Sequence, residues 1–173
     1  IEHMGIIVFA FGLGGPLANF AGLLHMVMHS LTKSAIFYAV GHVAQIKGTQ
    51  NISEIRGLTE SHPGLGWGLL IGVIAIAGMP PLGIFMSEFL IVSSAFAAQP
   101  LLAIPLVFGL LIAFGALLLR VTGIAFGEPA GNATPAQGSY LPMYAHLALV
   151  FGAGLYLPAP LVGWFQHIAG ILG

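Results

Sequence analysis

The feature that most constrains the fold is an almost uninterrupted apolar run from about residue 20 to residue 46. A helix of that length is long enough to cross the hydrocarbon core of a bilayer, which is about 30 Å thick. Only 5% of the 173 residues are charged and 58% are hydrophobic, whereas a soluble domain carries about 25% charged residues. The sequence is therefore typical of an integral membrane protein.

Similar apolar segments recur along the whole chain and are separated by glycine, proline or polar residues. They predict an all-α fold, a polytopic membrane helix bundle with about five transmembrane helices, one of them broken. The chain starts at Ile1 without an initiator methionine, so we expect residues 1–173 to be the C-terminal part of a longer membrane domain. The predicted helices lie at about 3–19, 20–46, 67–97 (broken at 78–83), 101–126 and 140–157, with an interfacial helix at 160–172.

Three polar residues share one face of the helix predicted at 20–46. His25, His29 and Lys33 recur every four residues, close to the helical repeat. A charge at the bilayer centre costs about 2.5–3.5 kcal/mol on insertion scales, and such residues usually serve function. We interpret the three as a proton relay. The alternative is structural, with histidines that bond neighbouring helices and a lysine that extends to the interface.

A metal site built on His25 and His29 is not expected. No carboxylate lies within helical reach to supply a third ligand, and Lys33 would repel a cation.

The helix predicted at 67–97 contains Pro80 and Pro81 near its middle. Two prolines remove two amide donors, so the helix must break or unwind there. Glu88 follows in the second half of this helix and is the only acid inside a predicted span. A carboxylate beside unwound backbone favours a second proton site, although a kink that serves only packing is the alternative.

Three further residues are secondary candidates. His42 and His146 lie in predicted spans, where a hydrogen-bonded packing role is the simpler interpretation. Arg120 lies at the end of its span and is most simply an interface anchor.

Composition also excludes several function classes. The chain has no cysteine, so it has no thiolate metal site or iron–sulfur cluster of its own, and we expect no cofactor. Its formal net charge is -1 with four dispersed basic residues, which gives nucleic-acid binding no electrostatic support.

The same motifs resemble a known family, the antiporter-like membrane subunits shared by respiratory complex I, Mrp-type antiporters and group 4 hydrogenases. The matching pieces are Ile1-Glu2-His3-Met4-Gly5, His25-x3-His29-x3-Lys33-Ser-Ala-Ile-Phe and Gly78-Met79-Pro80-Pro81-Leu82-Gly83-Ile84-Phe85-x2-Glu88. Within the family, residues 41–50 are most similar to the component F group of hydrogenase-4 subunits, from formate-hydrogenlyase-type complexes.

The resemblance implies a piece of a fourteen-helix subunit in the inner (cytoplasmic) membrane. In it, the residue matching Lys33 relays protons at mid-membrane, with His25 and His29 as relay histidines, and the residue matching Glu88 exchanges them with one side. The implied partners are other membrane subunits and a peripheral iron–sulfur/nickel–iron or NADH-oxidising arm. Such a subunit holds no redox centre. Two alternatives stay open: an Mrp-type Na+/H+ antiporter subunit, and a passive membrane anchor of a hydrogenase.

Overall fold

The computed structural model describes residues 1–130 and 138–173, and in these ranges the chain is almost entirely helical. The helices are α1 (Glu2–Leu13), α2 (Pro16–Lys47), α3 (Leu58–Ser61), α4 (Pro63–Ile76), α5 (Gly83–Ala98), α6 (Pro100–Ala125), α7 (Leu141–Leu155) and α8 (Ala159–Ile171), with a 3-10 turn at Ile52–Glu54.

The 32-residue helix α2 is the centre of the bundle, because α1, α4, α5, α7 and α8 all pack against it. It begins at Pro16, earlier than the expected start near residue 20. Proline suits the first turn of a helix, and Gly14 and Gly15 turn the chain with φ angles of 72° and 83°. Gly48 ends the helix in the left-handed region.

The expected broken helix is the pair α4 and α5. Helix α4 ends at Ile76 and α5 begins at Gly83, with Pro80 and Pro81 between them. In an unbroken helix the carbonyls of Ile76 and Ala77 would bond the amides of these two prolines, which carry no hydrogen. The break thus frees backbone carbonyls inside the bundle.

Helix α7 supports the break from one side. A side chain at Gly154 would overlap the carbonyl of Pro81, so the two backbones are in direct contact. The carbonyl of Val150 lies against Gly83, at the start of α5. The break is therefore covered by protein, as irregular backbone inside a membrane must be.

By length and hydropathy alone, α6 is the one helix in the described ranges that could cross a membrane unaided, and α7 with α8, bent by 77°, would make a second. Helix α2 is longer than α6 but contains the histidines and lysine, which lower its hydropathy. Helices α1, α4 and α5 are apolar but shorter.

Helix α6 lies at the outside of the bundle. Only 6% of its most apolar window is buried, and Leu101, Phe108 and Leu119 are among its exposed side chains. This surface suits lipid or other membrane helices. The polar residues instead lie in the interior of the bundle, between α1, α2 and α5.

Candidate functional site

A cluster of polar side chains lies where α1, α2 and α5 meet. Helix α1 contributes His3, α2 contributes His25 and His29, and α5 contributes Ser87 and Glu88. His3, His25 and Ser87 are buried, and the side chain of Glu88 is only 13% exposed. We call these five residues the polar cluster.

Hydrogen bonds link His3, His25 and Ser87 of the polar cluster one after another. Nδ1 of His3 lies 3.0 Å from Nε2 of His25, and Nδ1 of His25 lies 2.8 Å from Oγ of Ser87. The Ser87 hydroxyl donates its one hydrogen to the carbonyl of Ile84 at 2.8 Å. Its oxygen must therefore accept from Nδ1–H of His25. In neutral His25 this leaves Nε2 as an acceptor, so His3 donates from Nδ1.

The broken helix also reaches this cluster through its backbone. The ring of His3 lies near the backbone of Ile76, the last residue of α4. The Ile76 carbonyl is available because Pro80, four residues on, has no amide hydrogen. The two prolines thus bend the chain and leave the Ile76 carbonyl, which lies near His3, without a helical amide donor.

Glu88 lies at the edge of the polar cluster. Its Oε1 is 3.9 Å from Nδ1 of His3. The same carboxylate lies against Gly78, where a Cβ atom would overlap Oε2. On the side of α5 that faces α6, Glu88 borders a cavity of about 280 Å³. The carboxylate therefore lies between the histidines and this cavity, whose other lining residues are apolar or glycine.

His29 and Lys33 continue the stripe along α2. The ring centroid of His29 is 4.9 Å from that of His3 and 6.4 Å from that of His25. Its buried Nδ1 has no hydrogen-bond partner within the part of the chain that the structure describes. Lys33 is half-buried, with Nζ 5.9 Å from the ring centroid of Phe37, and lies within electrostatic range of His29. In residues 1–130 and 138–173 it forms no salt bridge.

The secondary candidates lie away from the polar cluster. The ring of His42 packs edge-on against Tyr140 at 5.6 Å. His146 donates from Nδ1 to the carbonyl of Pro142 in its own helix, at 2.7 Å. Arg120 is exposed near the end of α6. These contacts are those of packing and surface residues.

His3 and Ser87 were not among the sequence-derived site candidates. His3 is the one histidine in the first apolar segment, and buried histidine in such a segment is itself a signal. Ser87 precedes Glu88 directly and gave no comparable signal, because serines in membrane helices commonly bond their own backbone.

Comparisons with known proteins agree with this architecture. Residues 1–115 match the family described as NADH:quinone oxidoreductase/Mrp antiporter, transmembrane. The chain is 63% identical over 172 residues to a hydrogenase-4 component F homolog of Methylacidiphilum infernorum (isolate V4), covering 99% of this chain and 36% of that relative. It thus spans roughly a third of that relative's length.

Two solved structures have a similar fold. Respiratory complex I from Thermus thermophilus with bound NADH matches with a TM-score of 0.83 and 27% identity, over 99% of this chain and 38% of that chain. The Mrp complex from Dietzia sp. DQ12-45-1b matches with a TM-score of 0.84 and 19% identity, over 98% and 40%. The expected all-α membrane fold is confirmed. The chain belongs to the antiporter-like membrane-subunit family of NADH:quinone oxidoreductases, hydrogenases and Mrp antiporters, and is a multi-pass membrane protein.

Proposed function

We propose that this chain is part of a proton-translocating membrane subunit of a redox-driven complex, of the hydrogenase-4/formate hydrogenlyase or NADH:quinone oxidoreductase type. The observation that carries the proposal is the polar cluster itself. Histidines from two helices and a carboxylate from a third lie together inside an otherwise apolar bundle. Ionisable groups are expensive there and commonly mark proton pathways.

The proposed route follows the contacts. Lys33 exchanges a proton with His29, whose ring packs against that of His3. An imidazole can accept a proton at one ring nitrogen and release one from the other, so it passes protons without moving far. His3 then delivers the proton to Glu88, 3.9 Å away. His25, fixed by Ser87, holds the ring of His3 in place.

The broken helix gives this route an exit. Gly78 leaves room for the Glu88 carboxylate, which borders a cavity of about 280 Å³ on the side facing α6. We therefore assign Glu88 the exchange of protons with one side of the membrane, and Lys33 the opposite end of the route in this chain.

The proposed setting is the inner membrane. We expect this chain to assemble with other membrane subunits and with a peripheral iron–sulfur/nickel–iron or NADH-oxidising arm. The proposal rests on the 63% identity to the hydrogenase-4 component F homolog and the fold shared with complex I. No redox centre is assigned to this chain.

The test uses the full-length protein in its complex, in inverted membrane vesicles that report proton uptake with a fluorescent dye. We expect Glu88→Gln and Lys33→Ala each to abolish uptake, because each removes one proton-carrying group and leaves the bundle packed. Glu60→Gln is the matched control, since Glu60 is an exposed acid on α3. It should leave uptake unchanged.

The outcomes separate the alternatives. Uptake that persists in both variants, in an assembled complex, would support a passive membrane anchor and contradict the relay. Uptake that requires sodium and no electron donor would support an Mrp-type antiporter instead.

A further inference from the structure

The polar cluster contains a set of atoms that fits a metal ion. His3, His25 and Glu88 each offer one ligand atom, and the three atoms all lie within 4.8 Å of one another. Ligand atoms around a tetrahedral zinc ion, at metal distances of about 2.0–2.2 Å, lie about 3.4 Å apart. The observed separations of 3.0 Å and 3.9 Å from His3 Nδ1 bracket this value. Small side-chain shifts would close the site.

The second ring nitrogen of His25 has a hydrogen-bond partner, and the ring of His3 lies near a backbone group. Metal-bound histidines almost always donate the second ring N–H to an acceptor, such as a carboxylate, a backbone carbonyl or a water. Here Nδ1 of His25 donates to Ser87, which leaves Nε2 for the ion. In a metal complex the proton of His3 moves from Nδ1 to Nε2, and the backbone of Ile76 lies near this ring.

The charges around the site favour a divalent cation. Two neutral imidazoles and one carboxylate supply a single negative charge, and Glu2 lies close enough to interact electrostatically with Glu88. Lys33 opposes this, because it lies within electrostatic range of His3, although its Nζ packs by Phe37, about two turns further along α2 than His29. On α2 alone, His25 and His29 have no carboxylate with which to share a metal ion. The packing of α5 against α2 supplies the carboxylate of Glu88.

We propose that His3, His25 and Glu88 form a binding site for a divalent transition-metal ion, with Zn2+ the best match. Two histidines and one glutamate leave a fourth position for water, an arrangement that zinc accepts. Mg2+ and Ca2+ demand six or more ligands, mostly oxygen, and do not suit this set.

The consequence for transport rests on the proposed function. A bound ion occupies the nitrogen of His3 and the oxygen of Glu88 that would exchange the proton. Zinc therefore stops translocation at this step by occupying both groups.

The first test measures binding, without reference to transport. Full-length protein in lipid nanodiscs is titrated with zinc chloride by calorimetry. We expect His3→Gln and Glu88→Gln to weaken zinc binding at least about tenfold, since even second-sphere changes cost about 10–100-fold. His29→Gln is the matched control, because His29 lies beside His3 but offers no ligand to the set, and it should bind zinc like the parent protein. Magnesium chloride should give no binding.

A second measurement needs no mutation. Co2+ bound in a four-coordinate site absorbs visible light strongly, and zinc should displace this signal from the parent protein. Equal zinc affinity in the parent, His3→Gln and Glu88→Gln proteins, or an equal loss in His29→Gln, would overturn the metal site. Only a weak, six-coordinate Co2+ spectrum would also overturn it. Selective binding with undiminished proton uptake would uphold the site and contradict the proposed relay.

Discussion

The close contact between Gly78 and Glu88 gives a sharp test of the geometry at the break. Gly78 has a φ of 73°, and a Cβ atom there would overlap Oε2 of Glu88. Replacing it by alanine therefore imposes two costs at once. The backbone must hold a left-handed conformation, and the carboxylate must move.

Both free-energy costs have typical magnitudes. A non-glycine residue in the left-handed region costs about 1–2 kcal/mol. Moving the end of the flexible Glu88 side chain away from its present rotamer costs a further 0.5–1.5 kcal/mol or so. Gly78→Ala should therefore destabilise the protein by roughly 1.5–3.5 kcal/mol.

Gly48→Ala is the matched control. Gly48 has a similar φ of 67°, but a Cβ atom there would meet no atom within 4 Å. This variant should lose only about 1–2 kcal/mol, the backbone cost alone. The difference between the two variants isolates the contact with Glu88.

The assay is equilibrium unfolding of the full-length protein in mixed detergent micelles, followed by circular dichroism. A double-mutant cycle completes it: in a Glu88→Ala background, Gly78→Ala should cost about 0.5–1.5 kcal/mol less, because the carboxylate is gone. Equal losses for Gly78→Ala and Gly48→Ala, with no coupling to Glu88, would refute the placement of the carboxylate over Gly78.

Two further substitutions test the supports of the polar cluster. Ser87→Ala removes the partner of His25 Nδ1 and leaves it buried and unpaired, so unfolding free energy should fall by about 1–3 kcal/mol in the same assay. Ser93→Ala, where the hydroxyl bonds only the Phe89 carbonyl of its own helix, should change little, and equal losses would count against the His25 contact. Gly154→Ala places a Cβ on the Pro81 carbonyl and should cost about 1–3 kcal/mol or more. A Cβ atom at Gly152 would meet no atom within 4 Å, so Gly152→Ala is the control. An equal loss of stability in the two variants would contradict the contact between Gly154 of α7 and the break.

Much of the architecture could be predicted from local patterns in the sequence. The four-residue spacing of His25, His29 and Lys33 depends only on helical geometry, and it correctly places them along one face of α2. The interruption between α4 and α5 follows from two prolines that cannot donate hydrogen bonds. Such features need no knowledge of neighbouring helices.

The polar cluster could not be predicted in the same way. The contact of His3 with His25 joins residues 22 positions apart, and that of His25 with Ser87 joins residues 62 apart. Both depend on how α1 and α5 pack against α2. The same packing supplies the carboxylate that the stripe on α2 lacks, so a metal site could not be foreseen from one helix.

The structure also changes how Lys33 is understood. The resemblance implied that Lys33 relays protons at mid-membrane and that Glu88 exchanges them with one side. In the structure the ammonium lies near Phe37, and the Glu88 carboxylate is nearest to His3 among the histidines. Histidines therefore occupy the space between the two charged groups, which a linear pattern along α2 could not reveal.

The most direct test of the proposed relay is the number of protons translocated per electron pair in vesicles that carry the Glu88→Gln complex. Electron transfer and proton uptake are measured on the same preparation, with Glu60→Gln as the reference. We predict that the ratio falls in Glu88→Gln and stays at the parent value in Glu60→Gln, because only Glu88 adjoins the histidines. An unchanged ratio in an assembled Glu88→Gln complex would contradict the relay.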